Sequence, residues 1–202
     1  MQRRSFLKTL MAAPALGAAK RPNVVLVVAD DLGSADLSCY GCRDISTPHV
    51  DSLARHGVRF TRCYSNGPEC SPTRSALLTG RYQQRVGGLE CAIGLGDVGR
   101  YDDAIWLQKR GELGLPTTEY TLPRAFQQAG YDTGCFGKWH LGYRPQFWPN
   151  RHGFDESFGI LGGGADYFTH REPEKDGGTY LYRNGEKVER EGYLTDSLPR
   201  RQ

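Results

Sequence analysis

Asn23-Val24-Val25-Leu26-Val27-Val28-Ala29-Asp30-Asp31 is the stretch on which the fold turns. Its apolar part is continuous rather than alternating, the pattern of a strand buried on both faces of a parallel sheet. It stops in two carboxylates and Leu32-Gly33, so a loop follows. Further on, Thr47-Pro48 opens a helix with an N-cap and a proline at the first position. Val50, Leu53 and Ala54 form its apolar stripe, and Gly57 ends it. Val58 to Tyr64 reads as a second strand. Thr121 caps another helix, with Leu122, Ala125, Phe126 and Ala129 at helical spacing, and Gly130 closes it. Tyr131 to Phe136 then gives a third strand. This alternation predicts an α/β fold with a mainly parallel sheet. Ligands of such folds gather at the carboxyl ends of strands, where Asp30-Asp31 and Gly137-Lys138-Trp139-His140 both fall. Residues 87–119 are glycine-rich and charged, and read as a surface excursion near the site mouth. Tyr180 to Val188 reads as a hairpin turning on Asn184-Gly185, and Tyr193 to Leu198 as the start of a further helix.

The chain has 202 residues and a formal charge of +3. Arg3, Arg4 and Lys8 account for that excess, because the remaining 23 basic residues balance 23 acidic ones. No global basic field exists for nucleic acid or an anionic membrane, so anion recognition must be local. Arg3-Arg4-Ser5-Phe6-Leu7-Lys8, followed by a mildly apolar run to Ala19, resembles a twin-arginine export signal of bacteria. Gly17-Ala18-Ala19 offers a cleavage site. The run is too short, and too interrupted by Pro14, to be a stable membrane anchor. Residues 1–19 therefore read as a signal, and the protein as exported, periplasmic or secreted. The six cysteines, Cys39, Cys42, Cys63, Cys70, Cys91 and Cys135, are too few and scattered for a disulfide scaffold. Cys39-Tyr40-Gly41-Cys42 has neither a second such pair nor a histidine pair beside it. Incidental thiols or a single disulfide fit it better than zinc.

Chemistry concentrates around Cys70-Ser71-Pro72-Thr73-Arg74-Ser75-Ala76-Leu77-Leu78-Thr79-Gly80. Pro72 suits the first turn of a helix. Cys70 then lies at the helix N-terminus, where the dipole activates a thiol, and Arg74 faces the same side one turn on. Asp30 and Asp31 can converge in a loop and offer hard oxygens to Ca2+ or Mg2+, although such a pair often only caps a turn. Lys138 and His140 share a face if the chain stays extended there. Singly, such residues are more often solvated or structural.

The cysteine segment resembles the signature of the sulfatase family, C-x-P-[ST]-R-x4-T-G, with every fixed position filled. The resemblance runs over residues 22–198. It implies an alkaline-phosphatase-like three-layer α/β fold and a hydrolase of sulfate esters. It also implies that a formylglycine-generating enzyme oxidises Cys70 to formylglycine. Asp30 and Asp31 match the family's first pair of ligands for a divalent cation, Ca2+ or else Mg2+, with residue 70 contributing. Lys138 matches a sulfate-binding lysine, His140 a histidine that orients the nucleophile, and Arg74 an arginine that holds the formylglycine oxygens. His152-Gly153-Phe154-Asp155 matches a structural turn of the family, and Gly162 to Tyr167 a stretch of the substrate rim. The substrate is then an aryl sulfate or a sulfated glycan.

Residues 20–202 correspond only to the amino-terminal part of such a catalytic domain. A further Asp-Asn metal pair and another His and Lys, which the family places downstream, have no counterpart here. Asp30, Asp31 and residue 70 supply fewer oxygens than the six to eight that Ca2+ takes. The expectation is an incomplete fold with weak metal affinity and little activity alone. Two other readings are open: an inactive remnant that binds sulfated glycan without cleaving it, and a phosphatase or phosphonate hydrolase of the same superfamily.

Overall fold

Two glycines allow the sheet to close. In the computed structural model, which describes residues 21–94, 102–171 and 180–197, β1 (Gly134–Lys138) runs parallel to β2 (Glu156–Ile160), with Gly137 opposite Gly159. A Cβ on Gly159 would stand 1.9 Å from the Gly137 carbonyl oxygen, and φ at Gly159 is 155°. Only glycine tolerates both conditions. Gly159→Ala is therefore expected to destabilise the fold by about 2–4 kcal/mol, read as a lower urea midpoint at unchanged slope.

β2 also pairs antiparallel with β3 (Leu181–Arg183), and β3 with β4 (Glu186–Val188). The predicted hairpin is present. Asn184 and Gly185 take φ of 51° and 92°, the paired left-handed values of a two-residue type I′ turn. Asn184 Oδ1 also accepts the Ser157 N–H at 2.7 Å, which ties the turn back to β2. Among the described residues the sheet has one parallel and two antiparallel pairings, so this part of it is mixed.

The helices follow their local signals. α1 (Pro48–His56) starts behind Thr47 and ends at Gly57, whose N–H bonds to the Leu53 carbonyl. α2 (Cys70–Thr79) ends at Gly80 with φ 67°, a left-handed cap. α4 (Leu122–Gln128) starts behind Thr121. α3 (Asp102–Arg110) was not anticipated. It lies in the supposed surface excursion, which instead supplies core: Leu89, Cys91, Ile93, Ala104, Leu113 and Leu115 are all buried, and most of them pack with Trp139, Leu141 and Leu161. A smaller cluster of Phe158, Ile160 and Leu181 backs the hairpin. The last short helix, α5, spans Leu194–Ser197.

The chain divides into one unit through Arg59 and a second from Phe60 onward. In the first unit, the run from Asn23 to Ala29 carries no ladder among the described residues, and Val25 and Val27 are 83% and 82% exposed. Leu53 on α1 is 72% exposed, so the predicted stripe is not covered by described residues. Residues 58–64 likewise form no strand among the described residues. Strand propensity is present in both runs, but a ladder needs a partner strand. The export-signal reading of residues 1–19 lies outside the described residues. No helix among the described residues is long and apolar enough to cross a membrane.

The predicted structural turn is a folding device. His152 is fully buried against the Trp139 ring, centroids 5.5 Å apart. Gly153 turns the chain with φ 96°, and the Asp155 carboxylate accepts the Thr133 N–H at 2.8 Å. Burial, helped by nearby Arg124, pushes the His152 pKa down to about 4. The folded state therefore refuses a proton that the unfolded chain accepts near pH 6.5. Stability is intact above that pH and falls as pH drops toward 4, by about 3 kcal/mol. Urea melts of the wild type and His152→Gln between pH 7 and 4.5 should show the steeper decline in the wild type.

Candidate active site

The second unit brings Cys70, Arg74 and Lys138 together. Cys70 is the first residue of α2 and Lys138 the last of β1. The Lys138 ammonium donates to Cys70 Sγ at 3.1 Å. Arg74, one helical turn beyond Cys70, donates through Nη1 to the Lys138 carbonyl at 2.5 Å. Two cationic side chains thus flank one end of the helix, and the arginine fixes the backbone that carries the lysine. Cys135, on the same strand, is a different kind of thiol: burial pushes it up to about 11, against the opposing pull of Arg74. It stays protonated and chemically quiet.

His140 follows β1, but the chain does not stay extended as alternation requires. Its φ is 57°. The buried ring meets the Ile93 carbonyl through Nε2 at 2.5 Å. A carbonyl only accepts, so that nitrogen carries the hydrogen and Nδ1 is the acceptor of the neutral ring. The His140 N–H donates to the Leu161 carbonyl at 3.0 Å.

Ser71 was overlooked because it occupies a variable position of the signature. It is fully buried, and its hydroxyl donates to the His140 carbonyl at 2.8 Å and accepts the Ile93 N–H at 3.2 Å. Glu69 accepts the Ala92 N–H through its carboxylate. These bonds clamp residues 92–93 and the turn after β1 onto the start of α2. The alternation of Leu89, Cys91 and Ile93 was the available sign that this glycine-rich stretch is anchored inside.

Asp30 and Asp31 belong to the first unit. Asp31 has φ 57°, which breaks the alternation that would point the two carboxylates apart. One oxygen of each lies within 4.8 Å of the other, and both residues are exposed. Convergent hard oxygens are the donor chemistry that Ca2+ or Mg2+ requires, so the pair fits a divalent cation.

Residues 22–198 match the family model described as Sulfatase. N-acetylgalactosamine-6-sulfatase of Canis lupus familiaris is 41% identical over 156 residues, which cover 76% of this chain and 28% of that protein. Steryl-sulfatase of Mus musculus is 42% identical over 154 residues, covering 73% and 23%. Among solved structures, Ps i-CgsB in complex with k-i-k-neocarrahexaose aligns with a TM-score of 0.74 and 36% identity, over 88% of this chain and 39% of that one. BT4656 in complex with its substrate D-glucosamine-2-N, 6-O-disulfate aligns with a TM-score of 0.63 and 31% identity, over 88% and 29%. This chain spans 23–28% of the length of the two curated relatives named.

Proposed function

The chain belongs to the sulfatase family and has its α/β, alkaline-phosphatase-like fold, and on that premise we propose that it serves hydrolysis of sulfate esters at residue 70. The observation that carries this is the Lys138 ammonium 3.1 Å from Cys70 Sγ, with Arg74 holding the Lys138 carbonyl. The sulfur of Cys70 marks where the reactive oxygen of a formylglycine stands once a formylglycine-generating enzyme has acted. As a hydrated aldehyde, residue 70 supplies one oxygen to take the sulfuryl group and a second to return the aldehyde when sulfate leaves.

The surrounding residues do the positioning. Lys138 places a positive charge at the oxygens of the sulfuryl group, where negative charge builds during transfer. Arg74 fixes Lys138 and adds a second cation to the same side. His140, anchored on Ile93, is the residue that would orient a hydroxyl of residue 70. Asp30 and Asp31 would hold Ca2+ or Mg2+, which would supply Lewis-acid chemistry when bound. Asp30→Asn combined with Asp31→Asn is expected to weaken Ca2+ binding at least ten-fold, since it removes both formal charges from the donor pair. Calorimetric titration of the protein with Ca2+ checks this.

Sulfated glycans are the substrate class favoured by the relatives, one solved with neocarrahexaose and another with a glucosamine disulfate. The protein is further proposed to be exported, to the periplasm or beyond, through residues 1–19. Para-nitrophenyl sulfate and para-nitrophenyl phosphate, assayed side by side after formylglycine installation, test the reaction. Sulfate turnover exceeding phosphate turnover supports it, and the reverse preference replaces it with phosphoryl transfer.

A further inference from the structure

His140 holds a backbone shape that a residue with a side chain rarely adopts. Its φ of 57° is left-handed, and such a conformation persists only where the surroundings over-determine it. Both of its backbone groups are engaged. The N–H donates to the Leu161 carbonyl at 3.0 Å, and the carbonyl accepts the Ser71 hydroxyl at 2.8 Å. Strained residues fixed in this way gather at functional sites.

The Ser71 hydroxyl closes a circuit. Besides donating to the His140 carbonyl, it accepts the Ile93 N–H at 3.2 Å, and the Ile93 carbonyl takes the hydrogen of His140 Nε2 at 2.5 Å. The Tyr143 hydroxyl reaches the same carbonyl at 3.4 Å. Ser71, Ile93 and His140 are all buried, where a polar group that loses its partner is costly. Ser71 follows residue 70 in the first turn of α2. The turn of helix that presents residue 70 therefore also sets where His140 stands, and the residue-93 carbonyl selects which ring nitrogen carries the hydrogen.

Gly163 backs the same ring. A Cβ there would stand 2.9 Å from Cε1, 3.2 Å from Nε2 and 3.6 Å from Nδ1 of His140, its three nearest atoms. The φ of Gly163 lies outside the left-handed region, so the imidazole, and not the backbone, excludes a side chain at this position. The family resemblance gives residues 162–167 to the substrate rim, whereas the geometry at 163 faces the histidine.

We propose that Ser71 and Gly163 are positioning residues for the reaction at residue 70. Ser71 fixes the His140 backbone and the partner of its ring, and Gly163 leaves room for the imidazole to lie flat against the chain. The catalytic consequence rests on the sulfatase reading above; the placement of the ring does not. Nitrogen-15 spectra of histidine-labelled protein, with Cys70 unmodified, read the ring directly, and His140→Gln identifies its signals. The wild type should show the hydrogen fixed on Nε2 of His140. Ser71→Ala should move the signals toward a mixture of tautomers, and Gly163→Ala should displace them. With formylglycine installed, each variant should lose about ten- to 100-fold in kcat for para-nitrophenyl sulfate, with KM changed less than about two-fold. Ser71→Thr keeps the hydroxyl and should recover most of the Ser71→Ala loss.

His140 signals unmoved in both alanine variants would overturn the proposal. So would a rise in KM alone, or an activity loss that only follows the fraction unfolded in urea while the ring signals stay intact. If Ser71→Ala does not fold, Gly163→Ala decides by the same readouts, since its methyl meets the ring first. A fixed Nε2 hydrogen that both variants disturb, in a protein without sulfate turnover, would sink the reading at residue 70 and leave the positioning of the ring standing.

Discussion

Co-expression with a formylglycine-generating enzyme is expected to yield a protein whose residue-70 peptide carries an aldehyde. Peptide mass mapping and labelling with an aldehyde-reactive hydrazide read the result, and the Cys70→Ala protein should show neither signal. The physical grounds lie in the segment itself. Cys70 opens α2 with every fixed position of the signature around it, Pro72 falls in the first turn and Gly80 closes the helix. Hydrolysis of para-nitrophenyl sulfate should be lost with the aldehyde, by a factor of about 10³ or more, because the nucleophile is removed outright. A serine or unmodified cysteine in its place takes the sulfuryl group but has no second oxygen with which to release it. Free thiol at residue 70 after co-expression, with oxidation competence shown on a control substrate, refutes the assignment. Cys135 is the internal control: a half-buried thiol pushed up to about 11, outside the signature, should remain unmodified in the same digest.

What the sequence made legible was local. Thr47-Pro48, Thr121 and the Asn184-Gly185 turn each mark a boundary within their own segment, and each lies where it was read, although the Thr121 hydroxyl donates to the His152 carbonyl and not to its own helix. The helix at Cys70 belongs to the same class. Strands were less legible because pairing is decided at a distance. The apolar run from Asn23 to Ala29 reads as a doubly buried strand and has no ladder among the described residues. The third strand lies at Gly134–Lys138, a few residues beyond its predicted place, since β2 and the two close-packed glycines set its register. That shift makes Lys138 a strand residue with a fixed direction. The turn at His140 sends its ring to Ile93, a partner 47 residues away that no spacing rule could name. Ser71 was invisible for a related reason, as its importance comes entirely from the two backbone groups it joins.

Lys138→Ala is expected to lower kcat for sulfate-ester hydrolysis by about 10²–10³, the range for removing one donor aimed at developing charge. KM should change far less, because the charge the ammonium meets grows mainly in the transition state. Lys138→Arg should recover little, since a planar guanidinium cannot occupy the space of a compact ammonium 3.1 Å from residue 70. Arg74→Ala is expected to cost a similar factor, through the Lys138 carbonyl it holds at 2.5 Å. If the two residues act as one unit, the double variant Arg74→Ala/Lys138→Ala loses little beyond either single change, and the cycle shows strong coupling. Fully multiplicative losses would mean that Arg74 acts on the substrate independently of Lys138. Loss of binding with kcat intact would mean that both cations serve only to attract the anion.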